Sequence, residues 1–240
     1  MVHIRTIFSS SSSISMKNQK SIEEIVANEK HHANNQTELA IALHNYVRDN
    51  VLFGFTPYFD AAQPIETLKL RLGHCNPQAD LMVKLFREAD ILARFRPATI
   101  NNEILLGAVT TPRHLSHVFT EVQLNEKWLR LDSYILDPKL RINALERLKL
   151  DGLELGYGTH ISATGEWDGK TDAYSQVATK DMILELHEPV ENIEEFYQSS
   201  NYRHRILKVP FSTLMAPARL SKLTFSKLMN YRLERLRNQS

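Results

Sequence analysis

One helix start limits this chain more than any other feature. The stretch LGHCNPQADLMVKLFREADI, residues 72–91, places the chain's single cysteine, Cys75, directly before Asn76 and Pro77. Pro is well tolerated in the first turn of a helix, where a missing N–H costs little, and Asn is a good N-cap. Ala79, Met82, Val83 and Phe86 then recur at helical spacing, with Leu81 and Leu85 beside them. A helix is therefore expected to begin at Cys75 or one residue after it. Strand-like runs follow at Ala93–Ile100, Leu115–Leu124 and Lys127–Ser133, the last two separated by Asn125-Glu126, a tight-turn pair. A helix followed by an antiparallel hairpin points to an α+β domain.

The rest of the chain is read around this unit. Residues 21–34 suit a short helix. A clearer one covers Glu38–Asn50, where Leu39, Ala42, Leu43, Tyr46 and Val47 share a face. Residues 51–64 are rich in Phe, Gly and Pro and read as extended chain and loop, and Glu66–Leu72 as a helical turn or two. Helical periodicity returns at Lys139–Leu150. Five glycines between 152 and 176 mark long loops, and Glu191–Tyr197 suits a short helix. The divisions expected are a disordered lead-in (1–20), a catalytic core (21–138), an acidic loop-rich extension (139–200) and a basic helical tail (201–240).

Bulk properties narrow the class. With 240 residues and 42% hydrophobic content the chain can bury a sizeable core. It has no apolar run long enough for a membrane helix. A lone cysteine cannot close an intrachain disulfide, so a cytoplasmic setting is expected. The net charge of +1 hides an asymmetry. Residues 151–200 hold eleven Asp and Glu against two Lys, and residues 201–240 hold nine Lys and Arg against one Glu. The basic tail either folds back on the acidic stretch or reaches for an anionic partner. On the tail helix Leu220, Leu223, Leu228, Met229 and Leu236 fall broadly on one side.

The placement of Cys75 bears on its chemistry. A helix N-terminus presents unpaired N–H groups and partial positive charge, which favour a thiolate and can hold an oxyanion. Such a nucleophile needs a base. If Asn125-Glu126 forms a two-residue turn, Leu124 pairs with Lys127 and His117 lies opposite Tyr134. Asp132 then projects from the same face as His117, within diagonal reach across two strands. An aspartate there can orient the imidazole. A one-residue change in loop length would send Asp132 to the other face.

These residues resemble the transglutaminase-like superfamily. Gly73-His74-Cys75 opening a helix that leads to a strand at Ala93-Arg94 is similar to the family's nucleophile segment. His117, Phe119, Glu121, Trp128 and Asp132 follow its second half in order and spacing, and the helix TELAIALHNYVRDNV resembles its leading helix. The resemblance covers about residues 37–137. The family usually has Trp where Phe119 stands, and Gly-Ile-Pro-Ala-Arg where this chain has Asp90-Ile91-Leu92-Ala93-Arg94. It implies a papain-like core, with the thiol on a helix and the His and Asp on sheet strands. It also implies acyl transfer through a thioester, without metal or cofactor. Water would then give a hydrolase cleaving an amide, peptide or isopeptide bond, and an amine a glutamine acyl transferase; the substrate is a protein or peptide in either case. A binding module without catalysis, with the basic tail as its contact surface, is the rival from another class. Gln63 is a candidate oxyanion donor, as side chains are in related enzymes. His74 is a candidate specificity residue, and Tyr157, His160 and Trp167 are candidates to line a substrate cleft. Arg94 and Glu121 are expected as structural polar partners, and Trp128 as core.

Overall fold

The computed structural model describes residues 20–108, 113–176, 182–203, 205–206, 209–210 and 219–239. The serine run and Met16 lie outside the described residues. Ser21 caps α1 (Ile22–His32) in a reciprocal capping box with Glu24, and Asn35 caps α2 (Gln36–Asn50) by accepting from the Glu38 N–H. A short parallel pair, β1 (Leu52–Phe53) and β2 (Leu72–Gly73), brackets α3 (Pro64–Leu70). Then come α4 (Cys75–Glu88), β3 (Ala93–Asn101), β4 (His114–Leu124), β5 (Lys127–Leu131) and α5 (Pro138–Asp151). The ribbon of β6 (Leu155–Gly156) and β7 (Thr159–His160) follows. After it come β8 (Ile183–Leu186), α6 (Ile193–Gln198) and, at the end, α7 (Arg219–Arg237).

The main sheet runs β5-β4-β3-β8, antiparallel throughout. Its register rests on the turn at Asn125 and Glu126, both left-handed with φ of 48° and 65°. That is the turn whose twist matches a hairpin, and it pairs Leu124 with Lys127 as expected. Helix α4 packs on β4 and β3, with α1, α2 and α3 around it. Leu81, Met82, Leu85 and Phe86 are fully buried there, opposite Val118 and Val122. Burying one such side chain contributes about 1.5–3 kcal/mol, so this seam is a large part of what holds the layers together.

Three readings need correction. Strand β8 adds a fourth strand that the sequence did not announce, because Ile183–Leu186 is short, half exposed and set in an acidic stretch. Strand β5 stops at Leu131 rather than Ser133, because the backbone N–H groups of Asp132 and Ser133 both donate to the Ala173 carbonyl instead of continuing the ladder. Trp128 is 37% exposed, not core; the Arg94 guanidinium lies over its ring at 3.9 Å.

The basic tail sets Arg203 beside Glu185 of the acidic stretch at 3.9 Å, and its last helix packs elsewhere. Helix α7 docks on α5 and on the segment after β1. Met229, Leu233 and Leu236 are buried, whereas Leu228 faces outward. The side chains of Leu220 and Leu223 lie outside the described residues. Asn230 exchanges hydrogen bonds with both backbone groups of Phe55, and Ser226 donates to the Thr56 carbonyl. The Arg237 guanidinium donates to the Phe53 carbonyl and to the Asp137 carboxylate.

Candidate active site

Cys75 is the first residue of α4, half-buried, as the Asn-Pro pair after it foretold. The residue in the N-cap position is His74, two before the Asn76 expected there; Asn76 instead turns its side chain to Cys75 and Asp60. Gly73 is closely packed. A Cβ there would stand 3.0 Å from the Thr67 methyl and 3.1 Å from Gln78 Cγ, so the space belongs to internal packing. Gln78 then ties the segment down: its side-chain amide donates to the Gly73 carbonyl at 2.7 Å and to the Ile135 carbonyl at 3.0 Å. One residue thus links the approach to Cys75 with the turn that follows Asp132.

His117 and Asp132 are both buried, with His117 Nε2 3.2 Å from Asp132 Oδ2. The other carboxylate oxygen, Oδ1, accepts from the backbone N–H of Ser175 at 2.5 Å and of Gln176 at 3.2 Å. The Ser175 hydroxyl donates to the Asp132 carbonyl at 2.8 Å. The Asp132 carboxylate is therefore fixed by residues 173–176, a stretch that reads as plain loop in the sequence. Phe119, two residues from His117 on the same face, sets its ring edge-on to the imidazole with centroids 4.5 Å apart. It fills the position where the family usually carries Trp. Next to Asp132, the Ser133 hydroxyl meets His44 Nε2 at 2.7 Å. Burial pushes His44 down to about 4, so it is a neutral structural partner at ordinary pH.

The environment of the thiol differs from what the helix start suggests. The backbone N–H groups of Asn76 and Cys75 do favour the thiolate. Burial opposes them, and so do the negative charges of Asp60 and Asp132; the balance pushes the Cys75 thiol well up. Asp60 was missed in the sequence, since a lone Asp in a Phe-rich loop carries no signal. It is fully buried in a 3₁₀ turn, Phe59–Ala61.

Of the remaining candidates His74 adjoins Cys75 and binds Asp60, while the others have partners elsewhere. Gln63 is exposed at the start of α3, where its N–H donates to Glu66, and it lines a groove of about 420 Å³ along α4 beside Asp80, Arg87 and Ile193. His74 is buried against the rings of Phe55 and Phe59, with Nε2 2.7 Å from Asp60 Oδ1. Trp167 is 6% exposed, its indole N–H donating to the Thr171 carbonyl. Tyr157 is half-buried, its hydroxyl bonded to Asp151, and His160 Nδ1 meets the Ser162 hydroxyl. The expected polar partners are ion pairs in the structure. Arg94, Arg96 and Arg130 all converge on the buried Glu121 carboxylate.

The segments around Cys75, His117 and Asp132 match a known family over residues 22–133. That family is the transglutaminase-like superfamily, and the match covers a little under half of the chain. The fold is the one this superfamily shares with papain-like proteins, mixed helix and antiparallel sheet. A solved structure from Cytophaga hutchinsonii, described as a candidate cysteine protease, aligns at 19% identity with a TM-score of 0.39. That alignment covers 49% of this chain and 38% of the other. No curated protein matches the sequence. The Cys75 segment, the strand carrying His117 and Asp132 after β5 all lie inside the matched region. The clamp at Ser175 and Gln176 and the docked helix α7 come from outside it. Among the described residues no helix is long and apolar enough to cross a membrane.

Proposed function

We propose that Cys75, His117 and Asp132 form the catalytic triad of a cysteine hydrolase that cleaves an amide bond, peptide or isopeptide, through a thioester. The observation that carries this reading is the buried 3.2 Å contact between His117 Nε2 and Asp132 Oδ2, with the opposite carboxylate oxygen held by two backbone N–H groups. It fixes the ring and leaves Nδ1 as the nitrogen for proton transfer. Burial and the charges of Asp60 and Asp132 push the Cys75 thiol up, so His117 serves as general base during attack. Cys75 sulfur bonds to the carbonyl carbon while its proton passes to His117, and the oxyanion forms at the N–H groups of the α4 N-terminus. Collapse expels the amine, which takes the proton from His117 and leaves the thioester. Water, deprotonated by His117, adds to the thioester; the C–S bond breaks, the acid leaves, and the Cys75 sulfur takes the proton back from His117.

The same acyl-enzyme serves a glutamine acyl transferase if an amine replaces water, and that is the second reading. One experiment addresses both. The protein is incubated with an activated acetyl ester and followed by intact mass, with and without a primary alkyl amine. The expected result is an acetyl adduct on Cys75 that turns over, with both steps slowed in His117→Ala. Diversion of the acetyl group to the amine would favour transfer. Absence of an adduct, or equal rates in His117→Ala, would leave the non-catalytic binding module as the reading to pursue.

A further inference from the structure

A second buried network meets Cys75 through its two chain neighbours, His74 and Asn76. Its centre is Asp60, whose carboxylate is completely buried. Oδ1 meets His74 Nε2 at 2.7 Å and accepts from Asn76 Nδ2 at 2.9 Å, and Oδ2 accepts from the Tyr202 hydroxyl. His74 and Asn76 are the two residues flanking Cys75, so one carboxylate grips the chain on both sides of the thiol. The residue before Asp60 is strained to allow this. Phe59 has a φ of 52°, a left-handed conformation that is costly for an aromatic residue. Its ring stacks on His74 at 4.6 Å.

The direction of the hydrogen bonds matters. An ionised carboxylate only accepts, so Asn76 must turn its NH₂ toward Asp60. The Asn76 carbonyl oxygen is then aimed at Cys75, where it accepts from the S–H at 3.4 Å. Rotating the amide to offer its NH₂ to the sulfur would set the carbonyl against the Asp60 carboxylate.

We propose that Asp60 and Asn76 form a polar relay that holds Cys75 as a thiol in the unliganded site, which makes Asp60 a positioning residue for the nucleophile. The significance for catalysis rests on the triad reading; the state of the thiol does not. Other ionisable groups act at the same point. Asp132 stands near the thiol from the end of β5, and Tyr134 and Tyr197 interact with it from the following turn and from α6. Among the described residues His117 from β4 meets Asp132, and His74 and Tyr202 meet Asp60. Of these, Asp60 alone is joined to the sulfur through a side chain whose orientation it dictates.

The test is the pH profile of Cys75 alkylation by iodoacetamide in the full chain, comparing wild type with Asp60→Asn. The substitution keeps the shape and an acceptor oxygen but removes the charge and frees Asn76 to rotate. The expected result is a labelling midpoint about one pH unit lower, which is about tenfold more thiolate below it. A profile that superimposes on wild type, or a rise by the same factor at every pH as from simple loosening, would overturn the relay. If Asp60→Asn does not fold, the ultraviolet thiolate absorbance of wild type against Cys75→Ser decides. Thiolate should appear only above the free-thiol midpoint of about 8.5, and its presence at neutral pH would refute the proposal. The triad stands or falls separately, on whether His117→Ala slows acylation.

Discussion

Arg237 closes on Asp137 at 2.8 Å across 100 positions of sequence, and both side chains are buried. Asp137 also caps α5 by accepting from the Leu140 N–H and accepts from the Phe53 N–H. Replacing Arg237 by Ala strands a buried carboxylate and the Phe53 carbonyl. The expected loss is about 3 kcal/mol in urea unfolding, in the range for breaking a buried pair. Arg235→Ala, on the same helix, should move the midpoint by less than about 0.5 kcal/mol. Equal effects would mean that the pair is not what fixes α7.

Glu121 invites a similar substitution with a pH signature. Burial raises its carboxyl, but hydrogen bonds from Arg96 and Arg94 outweigh this and hold it below the ordinary value of 4.5. A folded value below the unfolded one gives stability that is present above about pH 4.5 and lost as pH falls through the folded value. Glu121→Gln should remove that acid dependence and cost about 3 kcal/mol at neutral pH, since three arginines lose their counter-charge. Thermal melts between pH 3 and pH 7 on the two proteins provide the check.

Asp80 titrates in the opposite sense. Burial and the neighbouring Glu194 raise it to about 6, with Arg87 opposing. A folded value above the unfolded one means that stability is full below about pH 4 and is lost as pH rises toward 6. Asp80→Asn should therefore stabilise the protein by about 1–2 kcal/mol above pH 6 and have little effect below pH 4. Denaturant midpoints at those two pH values would show whether the gain vanishes in acid.

Asp132→Asn is expected to separate reactivity toward an alkylating agent from catalysis. The substitution removes a negative charge near Cys75, so the thiol midpoint should fall. It also takes the carboxylate away from His117, so acylation by the activated ester should slow by about 10²–10⁴-fold. Parallel alkylation and acylation rates distinguish this from general damage to the site, which would depress both.

Much of the site is legible in the sequence because it is built from local rules. The Asn-Pro pair after Cys75 marks a helix start, and Asn125-Glu126 sets a register that keeps Asp132 on the side of His117. What was not legible is held by distant partners. Residues 173–176 reach Asp132 from more than forty positions away, and Tyr202 reaches Asp60 from 142. Neither contact has a pattern, since a backbone N–H from a loop and one tyrosine hydroxyl look like any others. Trp167 was assigned to a cleft because it sits among glycines, yet its ring is needed beside His44, where centroids lie 5.6 Å apart. The thiol's environment was misjudged for the same reason: the helix end is local, and Asp60 is not.

The docking of α7 reaches further than the tail itself. Arg237 holds the Phe53 carbonyl, Asn230 holds both backbone groups of Phe55, and the Phe55 ring lies against His74, the neighbour of Cys75. The last helix is thus the outer end of a short mechanical linkage whose inner end is Cys75. A shortened protein made to trim a basic, dispensable-looking appendage would release the shelf on which Cys75 is mounted.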